Sequence, residues 1–352
     1  MSNSNSNGQA KSVIQHFSRI QRLDESAFLG LQVTGGQILL PLLVLTTIFS
    51  RKVPRSPVFI NFCISWIVSS VVYSLLVYRG RSDPANLSLD PSPQECLIQA
   101  SLINGVQALT SCATIGLVIQ LFVVIRNTHR DPNGESKFDR NRHALNYILL
   151  FVPFFAFLVF SIVSAVLGSP SAYNTDGILI PNSNLALPGI FYCIILFNTD
   201  TESLASGLSL VRASFIFAST VSLLSLGLEV TIAIFVFRKR SLLRRFVPNG
   251  WLSLLARIVA FSIYRLIALG LNLAVIVAPN EIFLTGISSN NLFNGVIDLV
   301  QAAIPLVAFL IFASEKDVWS AWRSTESWTW TPWKDVSDPK LDVKRDTSND
   351  SS

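Results

Sequence analysis

Long apolar runs separated by short polar segments make up most of the chain. Seven of them, over residues 28–50, 56–78, 96–125, 144–167, 204–237, 251–278 and 290–313, reach the roughly 20 mostly apolar residues that a membrane helix needs. The pattern predicts an all-α membrane protein, a bundle of seven transmembrane helices. The third and fifth runs are longer than the bilayer requires, which predicts tilt or extension into the cytoplasm. Gly35, Gly36 and Pro41 fall inside the first run, where neighbouring helices can re-satisfy the backbone groups they free.

The runs divide the chain into four parts. Residues 1–27 form a Ser/Asn-rich N-terminal tail, weakly amphipathic through Val13, Phe17 and Ile20. The first span then acts as the insertion signal. Residues 28–313 form the bundle. Residues 314–333 are rich in Trp (Trp319, Trp322, Trp328, Trp330, Trp333) and predict a juxtamembrane amphipathic segment at the inner interface. Residues 334–352 are acidic, polar and read as a disordered cytoplasmic tail.

Lys and Arg between the runs orient the bundle. The loop after the first run carries Arg51, Lys52 and Arg55. The loop after the third carries Arg126, Arg130, Lys137, Arg140 and Arg142, and that after the fifth carries Arg238, Lys239, Arg240, Arg244 and Arg245. The remaining loops hold only Arg79 and Arg81. The positive-inside rule places the odd loops in the cytoplasm, the N-terminus outside and the C-terminus inside. The long loop after the fourth run, with residues 177–180, the Pro181-Asn182-Ser183-Asn184 turn and residues 190–197, predicts a hairpin over the outer mouth of the bundle.

Composition narrows the class further. Charged residues are 14% of the chain, against about 25% for a soluble domain, and mean hydropathy is +0.49. A soluble domain cannot cover its surface with so little charge, and bulk disorder needs the opposite composition. The net charge of +5 is an orientation signal, so it implies membrane lipid as partner and no nucleic acid. Four Cys are too few for a disulfide scaffold. Cys63 and Cys112 lie within spans and read as buried thiols. Cys96 and Cys193 lie on the outer, oxidising side, where a disulfide can persist. The sequon Asn86-Leu87-Ser88 is also outside, so Asn86 is a glycosylation candidate. The sequon at Asn349 falls in the inner tail and should be silent.

Seven helices, an outer N-terminus, a Cys atop the third helix matched by one in the second outer loop, and an amphipathic segment after the seventh together resemble a G protein-coupled receptor. Asn61-Phe62-Cys63-Ile64-Ser65-Trp66 and Cys96-Leu97-Ile98-Gln99-Ala100 also resemble fungal (basidiomycete) receptor-like seven-helix proteins. The resemblance implies a bonded Cys96–Cys193 pair, a plasma-membrane location, an outer ligand it does not identify (the hairpin lid suits a small or lipid-like one) and a heterotrimeric G protein at the inner face. There Arg126, Arg130, Arg238, Lys239, Arg240, Arg244 and Arg245 are the contact candidates. The likeness is one of layout. Ile125-Arg126-Asn127 stands where rhodopsin-like receptors carry an acidic-Arg-Tyr triplet, the sixth span has no Pro, and the seventh keeps only Pro305 of Asn-Pro-x-x-Tyr.

Ionisable groups inside a membrane are costly and point to function. Glu229, Arg257, Arg265 and Asp298 fall in the fifth to seventh spans. Asn291, Asn294, Asp298, Gln301 and Pro305 recur at spacings of three and four, one face of a helix that must look into the bundle. Gln107 and Ser111 form a shorter polar face on the third helix, and Asn272 follows Arg265 by about two turns. We expect Gln107, Ser111, Arg265, Asn272, Asn294, Asp298 and Gln301 to line an outward-facing pocket, with Arg265 reaching towards Asp298. The alternative is a structural network that only ties helices together. Glu229 and Arg257 are expected to pair as an inner latch between the fifth and sixth helices, or to stand as a static ion pair.

No enzyme is expected. The three His (His16, His129, His143) lie in a tail and a loop, so neither a metal site nor a Ser/His/Asp set can be assembled within the bundle. The seventh span has no Lys for a retinal Schiff base, and no cofactor is implied. A small-solute transporter remains the alternative function, since buried charges also mark solute pathways.

Overall fold

The structure is a computed structural model describing residues 26–49, 56–78, 92–128, 138–168, 185–188, 192–196, 211–238, 250–277, 298–314 and 316–323. It is built of helices with one two-stranded hairpin. In chain order these are α1 (Ser26–Phe49), α2 (Pro57–Tyr73, resuming as Leu75–Tyr78), α3 (Pro93–Thr128), α4 (Phe138–Gly168), strands β1 (Leu185–Pro188) and β2 (Cys193–Leu196), α5 (Val211–Arg238), α6 (Gly250–Val277), α7 (Asp298–Ala313) and α8 (Lys316–Arg323).

Four of the described helices, α1, α3, α4 and α5, are long and apolar enough to cross a membrane. Helix α4 shows why water is the wrong solvent. It exposes Tyr147, Phe151, Phe155, Leu158 and Ile162 along its length. In water such a stripe would exceed the apolar patches tolerated on a soluble monomer. Only 22% of the apolar window of α4 is buried, against 67% for α3. Helix α3 is therefore the central post, packing on α2, α4 and α5 and under the hairpin.

Local chemistry sets the helix ends. Ser56 caps α2 by accepting from the Phe59 N–H at 3.3 Å, with Pro57 at the first helical position where no N–H is needed. Ser92 and Glu95 form a reciprocal capping box at the start of α3, at 3.3 and 3.2 Å. In α1, residues Gln32–Leu39 are wound as a π-helix, and the Leu40 N–H reaches back to the Gly35 carbonyl. Pro41 has no N–H to continue an ordinary ladder across this point. The wider turn lies against α7. A Cβ on Gly35 would come within 2.6 Å of the Leu306 backbone nitrogen, and one on Gly36 would overlap the Ser70 side chain of α2. Glycine is required there because helix backbones meet, as is common where small residues line membrane interfaces.

One half of the core, beside α8, is an aromatic cluster. Phe62 meets Phe261 and Phe312 edge-on at 5.2 and 5.5 Å, and Phe59 meets Phe312 at 5.2 Å. Trp66 stands one turn above Phe62 and packs its ring edge-on against Phe261 at 5.8 Å. Helix α8 docks on this half instead of only lying along lipid. Val318 is buried, and Trp322 stacks on Phe309 and donates to Thr46 at 2.9 Å. Trp319 stays half exposed.

Several sequence expectations shift in detail. Among the described residues the fifth helix is Val211–Arg238, with the expected start at 204–210 outside them, and the hairpin pairs Leu185–Pro188 with Cys193–Leu196. Residues 177–184 and 290–297 lie outside the described residues. Cys63 and Cys112 are buried thiols outside the disulfide, as expected.

Candidate functional site

Above the aromatic cluster lies a cavity of about 50 Å³. Its walls come from six helices: Gln32 of α1, Trp66, Ser69 and Tyr73 of α2, Gln107, Thr110 and Ser111 of α3, Ala218 of α5, Arg265 of α6 and Gln301 of α7, among others. Four of the expected pocket residues, Gln107, Ser111, Arg265 and Gln301, are thus brought to one space. Helical spacing does this: Gln107 and Ser111 are four apart, and Gln301 precedes Pro305, which also lines the wall, by four.

Arg265 is the one charged group among the described lining residues. It is 5% exposed, lies 5.6 Å over the Trp66 ring and donates through Nη2 to Ser111 Oγ at 2.8 Å. Desolvation of a guanidinium is costly, so hydrogen bonding and a π face must offset it. The expected reach to Asp298 is not made. Asp298 sits about one turn above Gln301, and its Oδ1 accepts from the Tyr192 hydroxyl at 2.9 Å.

Tyr192 immediately precedes β2 and does not line the cavity itself; it covers the wall residue Tyr73 and so caps that side of the site. It precedes Cys193, which is bonded to Cys96 at the top of α3 with a Cα–Cα distance of 5.2 Å. The Cys193 N–H donates to Gln99 Oε1 at 3.0 Å, and Gln99 Nε2 donates to the Val72 carbonyl at 3.2 Å. The tyrosine ring meets Tyr73 edge-on at 5.1 Å and Phe28 at 6.3 Å. Burial pushes the Tyr192 pKa well above its ordinary value, and the Asp298 carboxylate pushes it the same way, so the phenol remains a donor. Below it, Gln301 Nε2 donates to the Tyr73 hydroxyl at 2.7 Å. The cap is therefore tied to α2, α3 and α7 at once.

Three polar atoms on residues that line this cavity are buried without a hydrogen-bond partner among the described residues: Gln32 Oε1, Trp66 Nε1 and Gln107 Oε1. Gln32 is 2% exposed and Trp66 5%. Buried polar groups are normally paired, so these three are the lining groups with bonding capacity left over. Gln32, Trp66 and Tyr73 were not among the expected site residues. The signal for Gln32 was an isolated amide within an apolar run; the other two look like ordinary core aromatics.

The inner pair departs from expectation. Glu229 is fully buried, and its Oε1 accepts from Ser262 at 2.5 Å and from Ser225 at 3.3 Å. Its bonds are to serines and not to Arg257, and Arg265 is the buried cation on the Ser262 face of α6. The reason is register: Ser262 and Arg265 are three apart and share a face of α6, while Arg257 lies about 140° round from Ser262. Glu229 and Arg265 thus form one axis, running from the cavity down to the α5–α6 contact.

Of the other expected residues, Arg126 and Arg238 are exposed near the ends of α3 and α5. Asn272 lies on α6, its side chain outside the described residues. Asn86, Arg130, Lys239, Arg240, Arg244, Arg245 and Asn294 lie outside the described residues altogether. No protein-family model matches the chain, and no curated protein is found to be similar to it.

Proposed function

We propose that the chain is a seven-helix receptor of the plasma membrane, N-terminus outside, that takes a small outer ligand into this cavity and signals through a heterotrimeric G protein. The observation that carries the reading is a cavity of mixed polar and apolar walls built by six helices, with a disulfide-tied hairpin packed on its wall residue Tyr73. A ligand seated there touches α1, α2, α3, α5, α6 and α7 together, so it can bias their relative packing. The Glu229–Arg265 axis links the cavity wall to the α5–α6 contact, whose inner ends are where a G protein would be admitted. Arg126 and Arg238, with Arg130, Lys239, Arg240, Arg244 and Arg245 in the adjoining loops, supply the cationic inner face. Asn86, on the outer side in this topology, is the glycosylation site.

Transport requires the site to open alternately to both sides. Beneath this cavity stands the packed Phe59, Phe62, Phe261 and Phe312 cluster, which favours a receptor over a transporter. The test is reconstitution in sealed vesicles with a panel of Gα subunits. A receptor accelerates nucleotide exchange on at least one of them in a ligand-dependent way. Solute flux across the vesicle in the absence of any Gα, with no effect on exchange, would replace the reading by transport. A mobility shift on deglycosylation, lost in Asn86→Gln, tests the orientation.

A further inference from the structure

We propose that the group recognised in the cavity is a neutral primary carboxamide. This deepens the receptor reading and rests on it only in taking the cavity as the ligand's seat. The argument begins with the unpartnered atoms. Gln32 Oε1 and Gln107 Oε1 are acceptors, and Trp66 Nε1–H is a donor. Arg265 adds a second donor beside Trp66, since a guanidinium carries five N–H groups and the bond to Ser111 uses one Nη. Two acceptors and two donors are the complement of one carboxamide: its two N–H groups satisfy the glutamine oxygens, and its carbonyl, with two lone pairs, accepts from Trp66 and Arg265.

Charge argues for a neutral group. One buried cation, Arg265, and two carboxyls, Glu229 below and Asp298 under Tyr192, already surround the cavity. A carboxylate would add a third acidic group to this set, and an ammonium would face the guanidinium directly. Size agrees. About 50 Å³ of this measure holds roughly four waters, which suits the three heavy atoms of a carboxamide head and little more. The apolar wall atoms of Val106, Ala218, Ala268 and Ile304 then meet the carbon that carries the head.

Four isosteres with one tail decide it: butanamide, 1-butanol, butanoate and butylamine, each titrated against full-length protein in nanodiscs, read by ligand-observed NMR and by the thermal midpoint. No G protein is present, so the outcome is independent of coupling. Butanamide should bind saturably and at least about tenfold more tightly than the other three. Trp66→Phe keeps the ring over Arg265 and removes only the N–H; it should weaken butanamide about tenfold, the loss expected for one buried hydrogen bond. Gln32→Leu should do the same, while Trp319→Phe, remote from the cavity, should not. Each variant is first checked for an intact disulfide and unchanged elution. Preference for butanoate would mean that the glutamines present N–H groups instead, and would overturn the proposal. Binding equal in wild type and Trp66→Phe, or no saturable binding, with ordered water left as the only occupant, would overturn it too.

Discussion

Tyr192 and Asp298, 106 residues apart in sequence, are joined by a hydrogen bond of 2.9 Å from phenol to carboxyl. The bond fastens the hairpin to the start of the described part of α7. Tyr192→Phe keeps the ring against Tyr73 and Phe28 and deletes only this link. A bond of this kind contributes about 1–2 kcal/mol, so hairpin amides over residues 193–196 should exchange with solvent about tenfold faster. Unchanged protection would show that the ring contacts alone hold the cap.

The Cys96–Cys193 bond closes a loop of 97 residues. By loop entropy it contributes up to about 4–5 kcal/mol, an upper bound where inserted helices already restrain the unfolded chain. Cys96→Ser, or treatment with a reductant, should lower the thermal midpoint and release the Gln99 contact with β2. A midpoint insensitive to both would mean that the hairpin is seated by its other bonds.

Gly35 and Gly36 should tolerate no side chain. Gly36→Ala forces a Cβ into Ser70, and Gly35→Ala into the backbone of Leu306; each should cost about 1–3 kcal/mol. Gly30→Ala and Gly227→Ala meet open space and should be neutral or raise stability by up to about 1 kcal/mol. Equal effects at all four positions, read from unfolding midpoints in nanodiscs, would contradict the close approach of α1 to α2 and α7.

Glu229 and Arg265 should behave as a unit. Glu229→Leu removes the bonds from Ser262 and Ser225, and Arg265→Leu removes the bond to Ser111; each single change should cost about 1–3 kcal/mol. The double variant should cost less than the two together by more than about 1 kcal/mol. Strict additivity would separate the two groups.

The two tryptophans of α8 should differ sharply. Trp322→Phe loses the bond to Thr46 and should destabilise by about 1 kcal/mol. Trp319→Phe, at a half-exposed ring, should change the unfolding midpoint little.

What the sequence made legible follows from the range of the physics involved. Apolar run length and the 3.6-residue period are local, so the helices and the polar faces of α3 and α7 could be read directly. The Cys96–Cys193 bond was implied by layout. Partner choice is not local. Asp298 and Gln301 share a face, yet one turns to the hairpin and the other to Tyr73, because loop residues fill the upper end. Glu229 chose Ser262 over Arg257 because the rotation of α6 decides which side chain faces α5, and a serine in an apolar run gives no warning of that. Gln32 was hidden by the π-helical turn, whose register a periodicity of 3.6 does not anticipate.

The cap also sets a clock. Tyr192 is held on one side by a covalent bond at the next residue and on the other by α7, so a molecule that passes between hairpin and α7 does so no faster than this strap lifts. Association should then fall well below the diffusion limit and be insensitive to ionic strength, and differences between related ligands should appear as residence times.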